Sequence, residues 1–348
     1  MTPRLTLRTE IVPVHTTHPF VIARGGASEW RTVTVRVRDA DGAEGWGEAA
    51  PSRFYGETPE SVVAAVARFQ DVLGDLDPWA LEDAEARMHA ALRFNGAAKT
   101  GVSAALHDLA AKRLGVPLYR LWGLDPARAP LSSFTIAIAE DDDVLRSRVA
   151  EAAQYPVLKV KLGSPKGLAR DERIIRIVRE AAPDKVLRVD ANAAWTAKGA
   201  LQIGELLAAL GVEFIEQPLP PHDLDGLRFV RDRSPLPIVA DESCVVASDV
   251  PRLAGVVDGV NLKLAKCGGL REAMRLIATA RSHGMLVMAG CMIETSLGIS
   301  AAAHLAPLLD CADLDGAALL SDDPYAGATI ADGVIRLSDG PGLGVTRR

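Results

Sequence analysis

Five short apolar runs in this sequence end in residues that suit proton and metal chemistry. They close in Lys-Val-Lys (159–161), Val-Asp-Ala-Asn (189–192), Ile-Glu-Gln-Pro (215–218), Ala-Asp-Glu-Ser (240–243) and Asn-Leu-Lys (261–263). Asp190, Glu216 and Asp241 form a set of three carboxylates with no histidine or cysteine among them. Such an oxygen-only set suits a hard cation, and Mg2+ is the best match. A single acid at a strand end often caps the following helix, but three acids in consecutive units favour a metal. Lys161 and Lys263 close the runs before and after this trio. A lysine turned inward beside other cations suits a base whose pKa is lowered by neighbouring positive charge. Two such lysines on opposite sides of a substrate can take a proton from one face of a carbon and return one to the other. The net reaction is racemisation or epimerisation. Lys159 shares the parity of Lys161 and points the same way, so it can depress that pKa or contact a substrate oxygen. Lys266 has the opposite parity to Lys263 and lies at the Gly268-Gly269 turn, where it reads as peripheral. Asp313 and Asp315 share one parity at the end of a later run. Two unpaired acids there suit an ammonium group on the substrate.

These residues need a frame that brings successive strand ends together. The five runs recur about every 25 residues, the length of one strand, one helix and two short loops. Candidate strands at 134–138, 158–161, 186–190, 214–216, 238–241, 259–263, 286–290 and 312–315 make eight in order, with helices such as 171–181, 197–210 and 271–282 between them. The pattern predicts an α/β fold, a (β/α)8-type barrel of the modified TIM kind. Lys161 and Lys263 then lie four staves apart, half a turn round the mouth. The first part of the chain lacks this rhythm. Thr32 to Val37 alternates polar and apolar residues, Asp41-Gly42 marks a hairpin and Glu44 to Glu48 returns. Helical stretches follow at 59–73, 81–92 and 97–114, the last with an apolar face of Ala104, Leu106, Leu109 and Ala110. The expected organisation is an α+β cap over residues 1–125, the barrel over 126–315 and a segment, 316–348, that returns to the cap.

Composition narrows the function classes. The chain has 348 residues, enough for a barrel and one smaller domain, and 48% hydrophobic content fills a large core. A net charge of −6 without a basic tail argues against nucleic acid as a partner. No apolar run is long enough to span a membrane, and the N-terminus lacks an apolar signal core, so a cytoplasmic protein without a membrane partner is expected. Cys244, Cys267, Cys291 and Cys311 have no zinc-like spacing and read as small buried hydrophobes near the barrel mouth. His15 and His18, three apart in a loop without further ligands, read as incidental.

In combination the strand-end motifs, with Asp-Ala-Asn-x-x-Trp at 190–195 and Lys-Cys-Gly-Gly at 266–269, resemble the enolase superfamily in its muconate-lactonising subgroup. Lysine bases working with Mg2+ are a general pattern of that superfamily. Within the subgroup the chain is similar to the dipeptide epimerases of the L-Ala-D/L-Glu class. Asp313-Leu314-Asp315-Gly316 resembles that family's ammonium-binding Asp-x-Asp motif. Pro19 to Gly25 resembles its capping loop, which implies that Arg24 meets a glutamate side-chain carboxylate. Gly290 to Thr295 resembles its strand-7 loop, which implies that Cys291 and Ile293 contact the substrate, and Thr135 matches a substrate-contacting threonine. Asn192 and Glu242, carried by the same motifs, are expected just behind the metal ligands. Loops 13–30 and 51–58 are expected to form a lid. The resemblance implies one Mg2+ per site, a small dipeptide substrate, a homo-oligomer and a place in the recycling of cell-wall peptides. Other readings remain: a cycloisomerase or dehydratase of the muconate or o-succinylbenzoate type, a dipeptide epimerase with another side-chain preference, a Schiff-base aldolase, or a barrel that has lost its chemistry.

Overall fold

The computed structural model describes residues 4–348; the first three, part of the expected cap, lie outside the described residues. The chain opens with an antiparallel meander of β1 (Leu5–Ile22), β2 (Gly25–Asp39) and β3 (Glu44–Ala49), in that order. The Asp39 carboxylate accepts the Asp41 and Ala43 amides and so shapes the second turn. The first strand is a correction to the sequence reading, which placed a loop at 13–30. Pro13 and Pro19 are tolerated because β1 is an edge strand, where a missing N–H costs no ladder bond. The β1–β2 pairing is interrupted between His15 and Phe20, with His15 opposite Glu29 and Phe20 opposite Ala27. The expected lid is therefore the tip of a hairpin, turning at Ala23-Arg24 into Gly25, whose φ of 105° suits glycine.

Three helices cover the meander: α1 (Pro59–Leu73), α2 (Leu81–Ala91) and α3 (Gly96–Leu114). A reciprocal Thr58–Ser61 capping box and Pro59 at the first turn start α1. Val33, Val35 and Val37 of β2 pack with Phe69, Met88, Leu106 and Leu109. From Ala97 to Ala111, α3 is buried all round rather than along one face. It is wedged between β3 and the barrel, and a Cβ at Gly45 or Gly47 would strike the Ala105 or Gly101 carbonyl.

The eight expected barrel strands are present. They are β4 (Phe134–Ile136), β5 (Val157–Lys161), β6 (Val186–Asp190), β7 (Val212–Glu216), β8 (Ile238–Ala240), β9 (Gly259–Leu262), β10 (Leu286–Gly290) and β11 (Cys311–Asp313), each parallel to the next. A parallel bridge between Ser132 and Ala312, and the Ser133 amide donating to the Ala312 carbonyl at 3.0 Å, close the ring. The lumen floor is a small apolar cluster of Phe214, Val239, Met288 and Cys311. The larger core lies between the outer faces of the strands and the helices, including Leu158, Val189, Ile215 and Val260. Inward positions above the floor are charged, beginning with Arg188, whose guanidinium lies 5.4 Å from the Phe214 ring. Among the described residues no helix is long and apolar enough to cross a membrane. The last segment touches the cap through Arg347–Glu10, at 3.0 Å, and through the Tyr325 and Thr34 hydroxyls, at 2.7 Å.

Candidate active site

Each charged residue at the barrel mouth is set by strand parity. Lys159 and Lys161 alternate inward on β5, Asp190 ends β6, Glu216 ends β7, Asp241 follows β8 and Lys263 follows β9. All are buried. Ligand oxygens of Asp190, Glu216 and Asp241 lie within 4.8 Å of one another. The three lysines interleave with them. Lys161 Nζ is 2.6 Å from Asp190 Oδ2, Lys159 Nζ is 2.7 Å from Glu216 Oε2, and Lys263 Nζ is 2.8 Å from Asp241 Oδ2. Four strand steps separate β5 from β9, so Lys161 and Lys263 stand on opposite sides of the ring.

Electrostatics divides the acids. Burial pushes Asp190 up, but Lys161 and Lys159 outweigh it and hold the carboxyl near about 2. Burial and Asp190 push Glu216 up to about 7. Asp241 is held well below its ordinary value, because Lys263 and Lys266 overcome its burial. Burial pushes Lys263 down, but Asp241 outweighs it and raises the group.

Two further expectations need correction. Lys266 is not peripheral: its side chain is fully buried and its ammonium reaches Asp241 Oδ1 at 2.5 Å. It also donates to the carbonyls of Asp241, Asn261 and Cys244 at 2.6, 2.9 and 3.0 Å. The chain leaves strand geometry at Lys263 and begins a helical turn, Leu264–Cys267, so alternation no longer predicts direction. Nor is Asp313 unpaired. It receives Lys159 Nζ at 2.8 Å and the Ser133 hydroxyl at 2.6 Å. Its neighbour Asp315 accepts the Thr135 amide at 2.6 Å. Burial and Asp313 push Asp315 up to about 7, whereas Lys159 and Lys161 overcome burial and hold Asp313 low. Cys291 and Ile293 follow β10; Ile293 is buried and Cys291 half-buried.

The hairpin tip brings Arg24 to the same mouth. Its guanidinium donates to the Asn192 carbonyl at 2.8 Å, lies 2.8 Å from Glu242 Oε1 and sits over the Phe54 ring at 4.4 Å. Glu242 is buried and raised by its burial and by Asp241. The structure thus gathers the lysines, the carboxylates, Thr135, Asn192 and Arg24 round one mouth but gives Arg24 protein partners.

Sequence reasoning missed Asn261. It is fully buried, and its Nδ2 donates to Glu216 Oε1 at 2.8 Å. Its signal was available, since it lies two residues before Lys263 on β9 and must point inward. Gln217 was also missed: its Oε1 accepts the Asp241 and Ser243 amides and ties the ends of β7 and β8 together. The donor set fits a hard cation. Its members are all carboxylates, and Asn192 Oδ1 and Asn261 Oδ1 are buried at the cluster without a hydrogen bond.

Residues 6–123 match the family described as mandelate racemase / muconate lactonizing enzyme, N-terminal domain, and residues 143–348 match the enolase C-terminal domain-like family. This chain belongs to the mandelate racemase/muconate-lactonising enzyme family. The L-Ala-D/L-Glu epimerase of Bacteroides thetaiotaomicron is 40% identical, over 95% of this chain and 85% of that one. The hydrophobic dipeptide epimerase of Roseobacter litoralis is 42% identical, over 94% of each chain. The solved dipeptide epimerase of Enterococcus faecalis, complexed with Mg and L-Leu-L-Tyr, superposes with a TM-score of 0.93 at 32% identity, covering 100% of both chains. In this mandelate racemase/muconate-lactonising chain, the N-terminal match holds the meander and its three helices, and the C-terminal match holds β5 to β11.

Proposed function

We propose that this protein epimerises a dipeptide of the L-Ala-D/L-Glu class at the carbon alpha to its C-terminal carboxylate, by proton transfer between Lys161 and Lys263. The observation that carries the reading is the pair of buried lysines half a barrel apart, flanking an all-carboxylate cluster. Asp190, Glu216 and Asp241 hold one Mg2+, which when bound supplies Lewis acidity toward the substrate carboxylate. Lys161 and Lys263 take and return the alpha proton on opposite faces; one must be neutral while the other stays charged. Lys159 donates to a carboxylate oxygen as negative charge builds there. Asp313 and Asp315 hold the substrate's α-ammonium, with Thr135, Cys291 and Ile293 around its backbone. Asn192 and Glu242 support the metal ligands. On this reading residues 1–125 form the lid-bearing cap, 126–315 the catalytic barrel and 316–348 the return to the cap. Four free cysteines fit a reducing compartment, so we place the reaction in the cytoplasm, in the recycling of cell-wall peptides.

One observation favours a second side-chain preference. Arg24 already engages Glu242 and the Asn192 carbonyl, so an acidic substrate side chain must compete with Glu242, whereas an apolar one need not. Proton NMR of L-Ala-L-Glu and L-Ala-L-Leu with enzyme and Mg2+ in D2O tests both readings. Loss of the α-proton signal of the second residue, with growth of the other diastereomer, supports epimerisation, and the faster substrate fixes the preference. No exchange with either dipeptide, or with a wider dipeptide panel, refutes the reaction.

A further inference from the structure

We propose that Asn261 and Lys266 are positioning residues that select Mg2+ over Ca2+, by locking one oxygen of Glu216 and one of Asp241 away from the metal. The proposal rests on the metal site put forward above and concerns what shapes it. Each of the three carboxylates has one oxygen held by a protein donor that plays no part in proton transfer. Asp190 Oδ1 accepts the Asn192 amide at 2.8 Å. Glu216 Oε1 accepts Asn261 Nδ2 at 2.8 Å. Asp241 Oδ1 accepts Lys266 Nζ at 2.5 Å. The other oxygens, Asp190 Oδ2, Glu216 Oε2 and Asp241 Oδ2, are the ones that face Lys161, Lys159 and Lys263. Asp190 Oδ2 also accepts Asn192 Nδ2 at 3.1 Å.

The locks are joined and rigid. Lys266 Nζ is held by the Asn261 carbonyl as well as by Asp241, so both donors belong to one short stretch of chain. Asn261 and the Lys266 side chain are fully buried. The Asn261 amide lies so close to Gly290 that a Cβ there would come within 2.9 Å of Nδ2 and 3.0 Å of Oδ1. The amide therefore has little room to swing aside.

Selectivity follows from coordination chemistry. Ca2+ takes six to eight oxygens and accepts carboxylates through both oxygens, whereas Mg2+ takes six in a tight octahedron and accepts them through one. For Glu216 or Asp241 to bind through both oxygens, the carboxylate must turn against the buried hydrogen bond that Asn261 Nδ2 or Lys266 Nζ makes to its other oxygen. That penalty falls on Ca2+ and spares Mg2+.

The test is calorimetric titration of the full chain with MgCl2 and, separately, CaCl2, for the wild type, Asn261→Leu and Lys266→Met. Circular dichroism establishes that each variant folds. The quantity read is the ratio of the two dissociation constants. Removing the Lys266 charge strengthens attraction for both divalent ions alike, so the ratio isolates geometry from charge. The wild type is expected to bind Mg2+ more tightly, and each variant to shift the ratio toward Ca2+ by about tenfold or more. A wild type that binds Ca2+ as tightly as Mg2+ overturns the proposal whether or not the variants fold. So does a folded variant with an unchanged ratio. Asn261→Asp, which removes the amide donor at nearly constant volume, gives a second reading if neither of the other variants folds, and an unchanged ratio there also overturns it. Failure of the wild type to bind Mg2+ at all would instead remove the metal-site reading on which the proposal stands.

Discussion

Replacing Lys263 with methionine should separate the two halves of the proton transfer. Methionine has similar reach but no ammonium. The loss of the charge leaves Asp241 paired, because Lys266 remains 2.5 Å from Oδ1 and also holds its carbonyl. No buried carboxylate is stranded, so the fold and the metal site should survive and the loss should fall on proton transfer. Removal of a positioned general base costs about 10²–10⁴-fold, or about 3–5 kcal/mol of barrier. Epimerisation should fall by that factor, yet Lys161 still stands on the opposite side of the mouth. It should continue to exchange the α-proton of one stereoisomer with D2O at a rate near that of the wild type. Lys161→Met should retain exchange of the other stereoisomer only. Asp190 then keeps the Asn192 amide at 2.8 Å and Lys159 at 3.5 Å. Proton NMR in D2O, run separately on each diastereomer, reads all four rates. If both variants exchange both diastereomers as the wild type does, neither lysine is the base. If one folded variant loses exchange of both, a single lysine serves both faces and the two-sided scheme is wrong.

Glu216→Gln should lower Mg2+ affinity and epimerisation together, each by about tenfold or more, as read by calorimetry and NMR; full activity after exhaustive chelation would disprove the ligand assignment. Asp315, pushed up to about 7 by burial and Asp313, must ionise to hold an ammonium, so KM for a dipeptide should rise as pH falls through about 7. In Asp315→Asn that slope should vanish and KM should be high throughout, with kcat less affected. Glu48 accepts the Thr295 amide across the cap–barrel boundary, and burial with Glu294 nearby raises it from 4.5 to about 8. Its proton is held more tightly folded than unfolded, so stability should be lost as pH rises from about 4.5 to about 8. Glu48→Gln should flatten that fall in Tm, and an unchanged profile would mean another group sets it.

The barrel was legible because charge and pattern agree at each strand end. Val-Leu-Lys-Val-Lys on β5 and Val-Leu-Arg-Val-Asp on β6 carry both the β-branched signal and the functional group. Helix α1 was legible from Thr58-Pro59, where cap and breaker fix the start. What failed did so for local reasons. The edge position of β1 excuses prolines that a central strand would refuse. Small residues such as Ala97, Ala98 and Gly101 make α3 look amphipathic, although it is enclosed by two layers. Lys266 was misread because a period of two was carried past Lys263 into a helical turn. The Asp313–Lys159 pair was invisible for another reason: β11 and β5 come within reach only because the ring closes through β4.

On the proposed reaction, chemistry and selection draw on different parts of the chain. The acids and lysines sit at strand ends held by parallel ladders and buried ion pairs. The residue expected to choose the side chain, Arg24, arrives from the cap on a hairpin tip. That tip is fastened by the Val21 carbonyl accepting the Ile138 amide at 2.9 Å, by Arg24 and by the His18–Glu151 pair at 2.6 Å. The histidine pair is about half exposed on both sides, and such surface pairs contribute little. The tip also lies beyond the interruption between His15 and Phe20, so it can shift without disturbing the paired base of β1 and β2. On the proposed reaction, substitution at the tip, or at Phe54 beneath Arg24, should therefore change the relative rates on L-Ala-L-Glu and L-Ala-L-Leu while leaving Lys161 and Lys263 in register.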